Sequence, residues 1–264
     1  MNLFSFIRKK YHPLFHLRRL AAFRQLQRVI DPDVWIKVPS GGGRGEMCVK
    51  LLRDLSLILP HDDKEAATRH RFEQLLRELK PDVFLDIGAN VGIYSWHAKS
   101  LAVPVILMFE PDGVNARLLS RTIRANRFTG VFLIPCAVSA SVGVADFVVD
   151  HASGATGSLI DDSGNRASLH SAYGMKDAVA CPTICLDAYA DYCSSKTVVL
   201  KIDVEGAEEL VFQGGRRFFR EVRPWMIVEC FEPRQLDWLA ELGYEIEPLD
   251  ENGNFLLTPL STPD

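Results

Sequence analysis

Two sets of acidic residues, one beside a glycine-rich turn and one beside a lysine, carry the chemistry that can be read from this chain. In the first, Asp86-Ile87-Gly88-Ala89-Asn90-Val91-Gly92 follows an apolar run and opens a helical one. Gly88 and Gly92 let the backbone come close to a ligand, and ligands of open α/β sheets sit at the carboxyl ends of strands. Asp86 at such an end suits a cationic ammonium group; the plainer alternative is that it caps the next helix. Glu110, in Phe109-Glu110-Pro111, stands 22 residues after Gly88, the offset at which a carboxylate takes ribose hydroxyls. The spacing is GxxxG, without the GxGxxG of nicotinamide sites.

A third segment, Pro135-Cys136-Ala137-Val138-Ser139, is placed to run along a purine, with Ala137 and Val138 in apolar contact and Ser139 as a hydrogen-bonding group. Asp86, Gly88, Ala89, Asn90, Gly92, Glu110, Pro111, Ala137, Val138 and Ser139 are therefore the expected binding set for S-adenosyl-L-methionine. The second acidic set is Lys201, Asp203 and Glu205, which alternate along one face of an apolar run, together with Glu229 at the end of another. Burying three carboxylates and a lysine is costly unless they are paired, so Lys201 is expected to pair with Asp203 or Glu229. As a catalytic set, Asp203 is the first choice for a base that takes the proton of an attacking hydroxyl, followed by Glu205 and Glu229. A structural ion cluster is the competing reading. The hard oxygens also suit Mg²⁺, though no further residue supports a metal. His97 is expected to face away from this region. His151 and His170 are loop histidines of the kind that are usually solvated.

Alternating strands and helices must position these groups. Strands read at 83–87, 103–109, 131–134, 198–203 and 225–230, as the continuous apolar runs of a parallel sheet covered on both faces. Helices read at 63–79 (capped by Asp62 or Asp63), 92–101, 112–126, 205–213 and 233–242. A closing hairpin reads at 244–249 and 254–258. The Gly-rich stretch 39–46 lacks the GK[ST] of a phosphate loop and reads as a turn between 34–38 and 47–52. Between 140 and 197 the alternation breaks, with a short strand at 145–149 and a Gly/Ser-rich insertion. The expected organisation is a basic extension over 1–60 and one α/β domain over 61–264 carrying that insertion.

The 264 residues carry a net charge of -4, which argues against a dedicated nucleic-acid binder. The charge is uneven: residues 1–28 hold Arg8, Lys9, Lys10, Arg18, Arg19, Arg24 and Arg28. With the apolar residues between them they read either as a helix lying on an anionic membrane or as a cap packed on the domain. No 18-residue apolar stretch spans a membrane, and Leu3–Ile7 is too short for a signal-peptide core. The six cysteines form no CxxC pair, so Cys181 and Cys185 lack a metal motif and the usage fits a reducing, cytoplasmic setting.

Val83–Ser95, Phe109-Glu110-Pro111, Ala137-Val138-Ser139, Lys201–Glu208 and Glu229 together resemble the FkbM family of methyltransferases over roughly residues 70–258. The resemblance implies a Rossmann-like class I fold, a mostly parallel seven-stranded sheet of order 3-2-1-4-5-7-6 with an antiparallel C-terminal hairpin. That order sets Asp203 across from Asp86. It also implies methyl transfer from S-adenosyl-L-methionine to a hydroxyl of a sugar, glycan or secondary metabolite. Related sequences make Thr156-Gly157-Ser158-Leu159 a candidate acceptor contact. The competing functions are a nucleotide-binding oxidoreductase, disfavoured by the GxxxG spacing, and a non-catalytic cofactor-binding scaffold. Nucleobase methylation is disfavoured because Asp203-Val204-Glu205-Gly206 stands where such enzymes carry an Asn/Asp-Pro-Pro-aromatic element.

Overall fold

A computed structural model describes residues 17, 20–39, 45–59, 65–160 and 176–260. The basic start of the chain before residue 17, the turn at 40–44, Asp62, Asp63 and His170 lie outside the described residues. The central sheet is built from β3 (Val83–Ile87), β4 (Val105–Phe109), β5 (Val131–Ile134), β10 (Val198–Ile202), β11 (Trp225–Glu229), β12 (Tyr244–Pro248) and β13 (Asn254–Pro259). Their spatial order is β5-β4-β3-β10-β11-β13-β12. The first five run parallel, and β13 is antiparallel to both β11 and β12. Numbered within the sheet alone, this is the expected order 3-2-1-4-5-7-6.

The two central strands, β3 and β10, are buried at every position, because helices cover both faces of the sheet. Side chains alternate between the faces. Val83, Leu85, Ile87, Leu200 and Ile202 enter one core with Phe212, Phe218 and Phe219. Phe84, Ile106, Met108 and Val199 enter the other with Phe72, Trp96 and Leu119. The helices of this second face are α3 (Ala66–Leu79), α4 (Ile93–Ser100) and α5 (Gly113–Asn126). Phe72 of α3 packs with its ring centroid 5.1 Å from both Phe84 and Tyr94.

The described strand residues before residue 60 are packed into the same body. After α1 (Ala21–Val29), β1 (Asp33–Lys37) and β2 (Glu46–Lys50) form an antiparallel hairpin, and α2 (Leu55–Ile58) follows. Met47, Cys48 and Val49 belong to the core of Phe72 and Trp96, and the Cys48 amide donates to Thr122 Oγ1 of α5 at 2.9 Å. Asp33 receives Arg117 at 2.6 Å and also pairs with Lys50 and Arg121; Arg117 foremost holds its carboxyl well below the ordinary value.

The stretch from 140 to 197 is not a loose loop over its described part. β6 (Ala137–Val138), β7 (Gly143–Asp150), β8 (Ser158–Leu159) and β9 (Lys176–Ile184) form a four-stranded sheet of order β6-β9-β7-β8. Its own small core joins Phe147, Val149, Leu159 and Cys181 to Ala137 and Ala207, so the insertion is seated over the carboxyl end of β10.

Two sequence expectations change here. The helix read from 205 begins at Glu208, as α7 (Glu208–Gly214), because Glu205 and Gly206 take φ of 54° and 95°, outside the right-handed helical region. The helix read over 233–242 is a 3₁₀ turn, Pro233–Leu236, running into α9 (Asp237–Glu241), while α8 (Arg216–Glu221) and the short α6 (Ala190–Cys193) complete the set. Phe72→Ala should lower the unfolding free energy by about 3–5 kcal/mol through the cavity it leaves, measured by denaturant titration with the slope unchanged.

Candidate active site

The carboxyl ends of β3, β4 and β10 meet the insertion sheet around one cleft. Its lining includes Gly88, Asn90, Glu110, Pro111, Ala137 and Val138 from the expected cofactor set, and Asp203 and Glu205 from the acidic set. Phe109, Phe147, Leu159 and Cys136 add apolar wall, and Asp112, Asn115, Gly154, Ala155 and Gly157 complete the rim.

Glu110 is the most constrained group in the cleft. It is 4% exposed and accepts from the Asn90 amide at 2.6 Å and the Asp112 amide at 2.8 Å. Burial pushes its pKa up to about 8 against these two backbone donors. Asp112 in turn caps α5, accepting from the amides of Val114 and Asn115 at 2.7 and 2.9 Å, which fixes the turn that carries Glu110. Gly88 has φ +78°, and a Cβ there would lie 1.8 Å from the Asp203 carbonyl oxygen. Only glycine allows the β3 and β10 ends to close this tightly.

Four expected cofactor residues stand elsewhere. Ala89 lines a wider cleft on the other side of the glycine loop, with Tyr94, Lys201 and Asp203. Gly92 is covered, since a Cβ would meet the Trp96 ring at 2.7 Å. Ser139 is buried, with its amide donating to Ile184 O. Asp86 is 1% exposed and lines neither cleft; it accepts from Ser95 Oγ at 2.6 Å. Burial raises its pKa, opposed by Lys201 and Ser95.

The register explains where Asp86 points. Its cross-strand partner is Lys201, not Asp203. The Asp203 amide instead donates to Ile87 O at 3.0 Å, setting Asp203 beside Gly88. Lys201 is 5% exposed. Its Nζ lies 2.7 Å from Asp203 Oδ2 and 4.6 Å from the centroid of Tyr94. Burial favours the neutral amine, yet Asp203 and Asp86 outweigh it and hold the pKa above the ordinary lysine value. Of the two expected partners of Lys201, Asp203 forms the ion pair.

Glu205 is brought to the cleft by a left-handed turn beyond the strand, not by strand alternation. Burial and then Asp203 and Glu208 raise its pKa. Glu229 lies on the far side, in a second acidic recess with Glu65, Phe231, Glu251 and Asn254, and burial and Asp203 push its pKa up. Glu208 accepts from the Gly206 amide at 2.8 Å and is raised to about 7 by burial. Among the described residues, no group of three or more His, Cys, Asp or Glu side chains converges so as to hold a metal ion. His97 sits on the rim of the wider cleft, tied to Glu73 at 2.5 Å, and His151 contacts Asp177 at 3.0 Å. Of the Thr156–Leu159 segment, Gly157 and Leu159 face the cleft, while Thr156 bonds Asp150 and Ser158 reaches Val204 O.

Sequence reasoning passed over several contributors. Glu65, which receives the Tyr94 hydroxyl at 3.2 Å, borders both the wider cleft and the Glu229 recess, and nothing in the spacing ties it to Lys201. Arg53 is 4% exposed, pairs with Asp54 at 2.7 Å and donates to Asn115 Oδ1 at 2.7 Å. Asn115 Nδ2 then donates to Gly154 O at 3.0 Å, fixing the rim loop. The Pro-Asp-Gly-Val-Asn segment after Glu110 could have pointed to Asp112 as a helix cap and so to Asn115.

The strand order and the cleft at the strand ends define a Rossmann-like methyltransferase of class I. Residues 86–256 match the methyltransferase FkbM domain, and the chain belongs to that family. No curated protein matches the sequence. Among solved structures it is similar to methyltransferase FkbM from Methylobacillus flagellatus KT, 17% identical over 66% of this chain, with a TM-score of 0.43. This chain spans 42% of the length of that structure. It is also similar to a methyltransferase from Geobacter sulfurreducens, 17% identical over 78% of this chain and 95% of that one, TM-score 0.41. A precorrin-6y C5,15-methyltransferase from Geobacter metallireducens GS-15 is 11% identical over 72% and 85%, TM-score 0.41. The family match carries the assignment; these distant likenesses add nothing to it.

The raised carboxyls make a stability prediction. Glu110 and Glu208 bind protons more tightly in the folded than in the unfolded chain. Between about pH 4.3, where free Glu titrates, and their folded values near 7 and 8, the folded state holds the extra protons. Unfolding free energy therefore falls as pH rises through that window. Denaturant titrations of the ligand-free protein from pH 5 to 9 should show this decline, and Glu110→Gln should flatten it.

Proposed function

We propose that this chain is an S-adenosyl-L-methionine-dependent O-methyltransferase acting on a hydroxyl of a sugar, glycan or secondary metabolite. The observation that carries the reading is that one cleft holds the Gly88–Asn90 loop, the buried Glu110 carboxyl and the acidic pair Asp203 and Glu205. The residues present fit the cofactor by their chemistry. Glu110 offers a carboxylate to ribose hydroxyls, and Ala137, Val138, Phe147 and Leu159 offer an apolar wall to adenine. Asp203, on the open side of Gly88, suits the ammonium group in place of the enclosed Asp86. S-adenosyl-L-methionine would supply a methyl group on a sulfonium, open to in-line displacement, and the protein supplies orientation.

The ion pair reorders the candidate bases. Asp203 is already engaged in an ion pair, its Oδ2 lying 2.7 Å from the buried Lys201 Nζ. Glu205 shares the cleft without such a partner in the described contacts, and burial, then neighbouring carboxylates, raise its proton affinity. It is the better base for the acceptor hydroxyl, with Asp203 as an orienting charge and Glu229 as a flank of the acceptor side.

Calorimetry should detect S-adenosyl-L-methionine binding to the intact chain, and Glu110→Ala should weaken it by about tenfold to a hundredfold, the loss of one or two hydrogen bonds to a charged group. Absence of binding by the wild-type chain would sink the reading. Glu205→Gln should cut turnover by roughly 10²–10⁴-fold, the usual contribution of a general base, and leave cofactor affinity nearly intact. Asp203→Asn should lower both. In the wild type, turnover should rise as pH increases across the neutral range, following deprotonation of Glu205.

A further inference from the structure

The helix at the start of the described chain half-covers Phe23 and buries a glutamine, yet turns an aliphatic stripe outward. An amphipathic helix on a globular body faces its apolar stripe inward. In α1 the one buried side chain is Gln27, whose Nε2 donates to His151 O at 2.8 Å and Ala152 O at 3.2 Å. Ala22, Leu26 and Val29 recur at i, i+4 and i+7 on the opposite side, and all are exposed, Leu26 to 47% and Val29 to 74%. Ile30 at the helix end is 59% exposed and Leu20 at its start 55%. The polar contact fixes the helix to the protein and leaves the aliphatic stripe facing outward.

Charge selects the occupant of that stripe. Residues 1–30 contain seven Lys and Arg and no Asp or Glu, whereas the remaining 234 residues carry 23 Lys and Arg against 34 Asp and Glu. Arg28 lies on the helix that carries the stripe and is exposed. A basic helix with an exposed aliphatic face is the chemistry of a segment lying in the interface of an anionic bilayer. A second copy of this chain would bring like charges together, and a nucleic acid would leave the aliphatic stripe in water. No helix among the described residues is long and apolar enough to cross a membrane, so contact is with the surface.

We propose that α1 docks this protein on anionic lipid surfaces, with Leu26, Val29 and Ile30 entering the acyl boundary and Arg28 meeting lipid headgroups. The docked segment is continuous, through Gln27, with the loop after β7 that supplies Gly154 and Ala155 to the cleft rim, so the cleft is carried near the lipid surface. The docking is independent of the chemistry assigned to the cleft.

Flotation of the full chain with phosphatidylcholine vesicles, with and without phosphatidylglycerol, tests this directly. Binding is expected only to the anionic vesicles and should weaken as salt screens the charges. Arg28→Glu should lower the partition coefficient by about tenfold, since each unit of charge contributes several-fold near an anionic surface. Leu26→Asp with Val29→Asp should abolish it. Both of these side chains face solvent, so an unchanged thermal midpoint will confirm that the variant is folded. Failure of the wild-type chain to float with anionic vesicles overturns the proposal, as does binding indifferent to the Leu26/Val29 variant. A wild-type dimer that ignores vesicles and becomes monomeric in that variant would show a self-association face and equally overturn it.

Discussion

A lysine buried at the carboxyl end of the central strand is the constraint on which the rest of this site depends. Lys201 cannot be enclosed as a bare cation, because desolvating it costs several kcal/mol unless opposite charge is close. Asp86 on the neighbouring strand and Asp203 two residues on provide that charge. The pairing holds only if β3 and β10 are adjacent and in the observed register. It also needs Gly88 where the strand ends converge, since any side chain there would strike Asp203. The packing of the sheet centre and the position of the acidic groups are thus one requirement.

One buried cation does not neutralise its surroundings. Asp86, Asp203, Glu205 and Glu229 gather near Lys201, with Glu208 and Glu65 beyond. Burial first, and the surplus of negative charge after it, lifts the proton affinity of Glu205 and Glu229. That lift divides labour among similar residues: Asp203 takes the ion pair with Lys201, whereas Glu205 and Glu229 are kept near the range where proton transfer is useful. Glu110 reaches a raised value through enclosure on the apolar side of the cleft.

The cleft is also a joint product of three distant chain regions. The sheet supplies its floor and the insertion its wall. The segment before residue 60 supports the rim through Arg53, Asn115 and Gly154. Arg53 can be buried there because Asp54 neutralises it and Asn115 takes a remaining donor. A change in the N-terminal segment is therefore transmitted to the rim by hydrogen bonds, without touching the strand ends.

Much of this architecture is legible in the sequence. The apolar runs at 83–87, 131–134 and 198–203, the helix between Asp112 and Asn126, and the glycine turn at 88 are local consequences of burial periodicity, capping and backbone freedom. The same local rules place Glu110 at a strand end, and the combined segments carry the family resemblance. Tertiary structure alone decided which carboxylates meet. Sequence alternation put Glu205 on a strand face, but the left-handed backbone at 205 and 206 swings it to the cleft by another path. Strand adjacency suggested Asp203 opposite Asp86, whereas the register is offset by two residues and encloses Asp86 against Lys201. The roles of Glu65 and Arg53, and the pairing of the short strand at 145–149 into a four-stranded sheet, leave no local signal, because they arise from contacts between residues far apart in the chain. Periodicity reports which face of an element is buried; register, long-range pairing and the burial of charge are properties of the assembled fold.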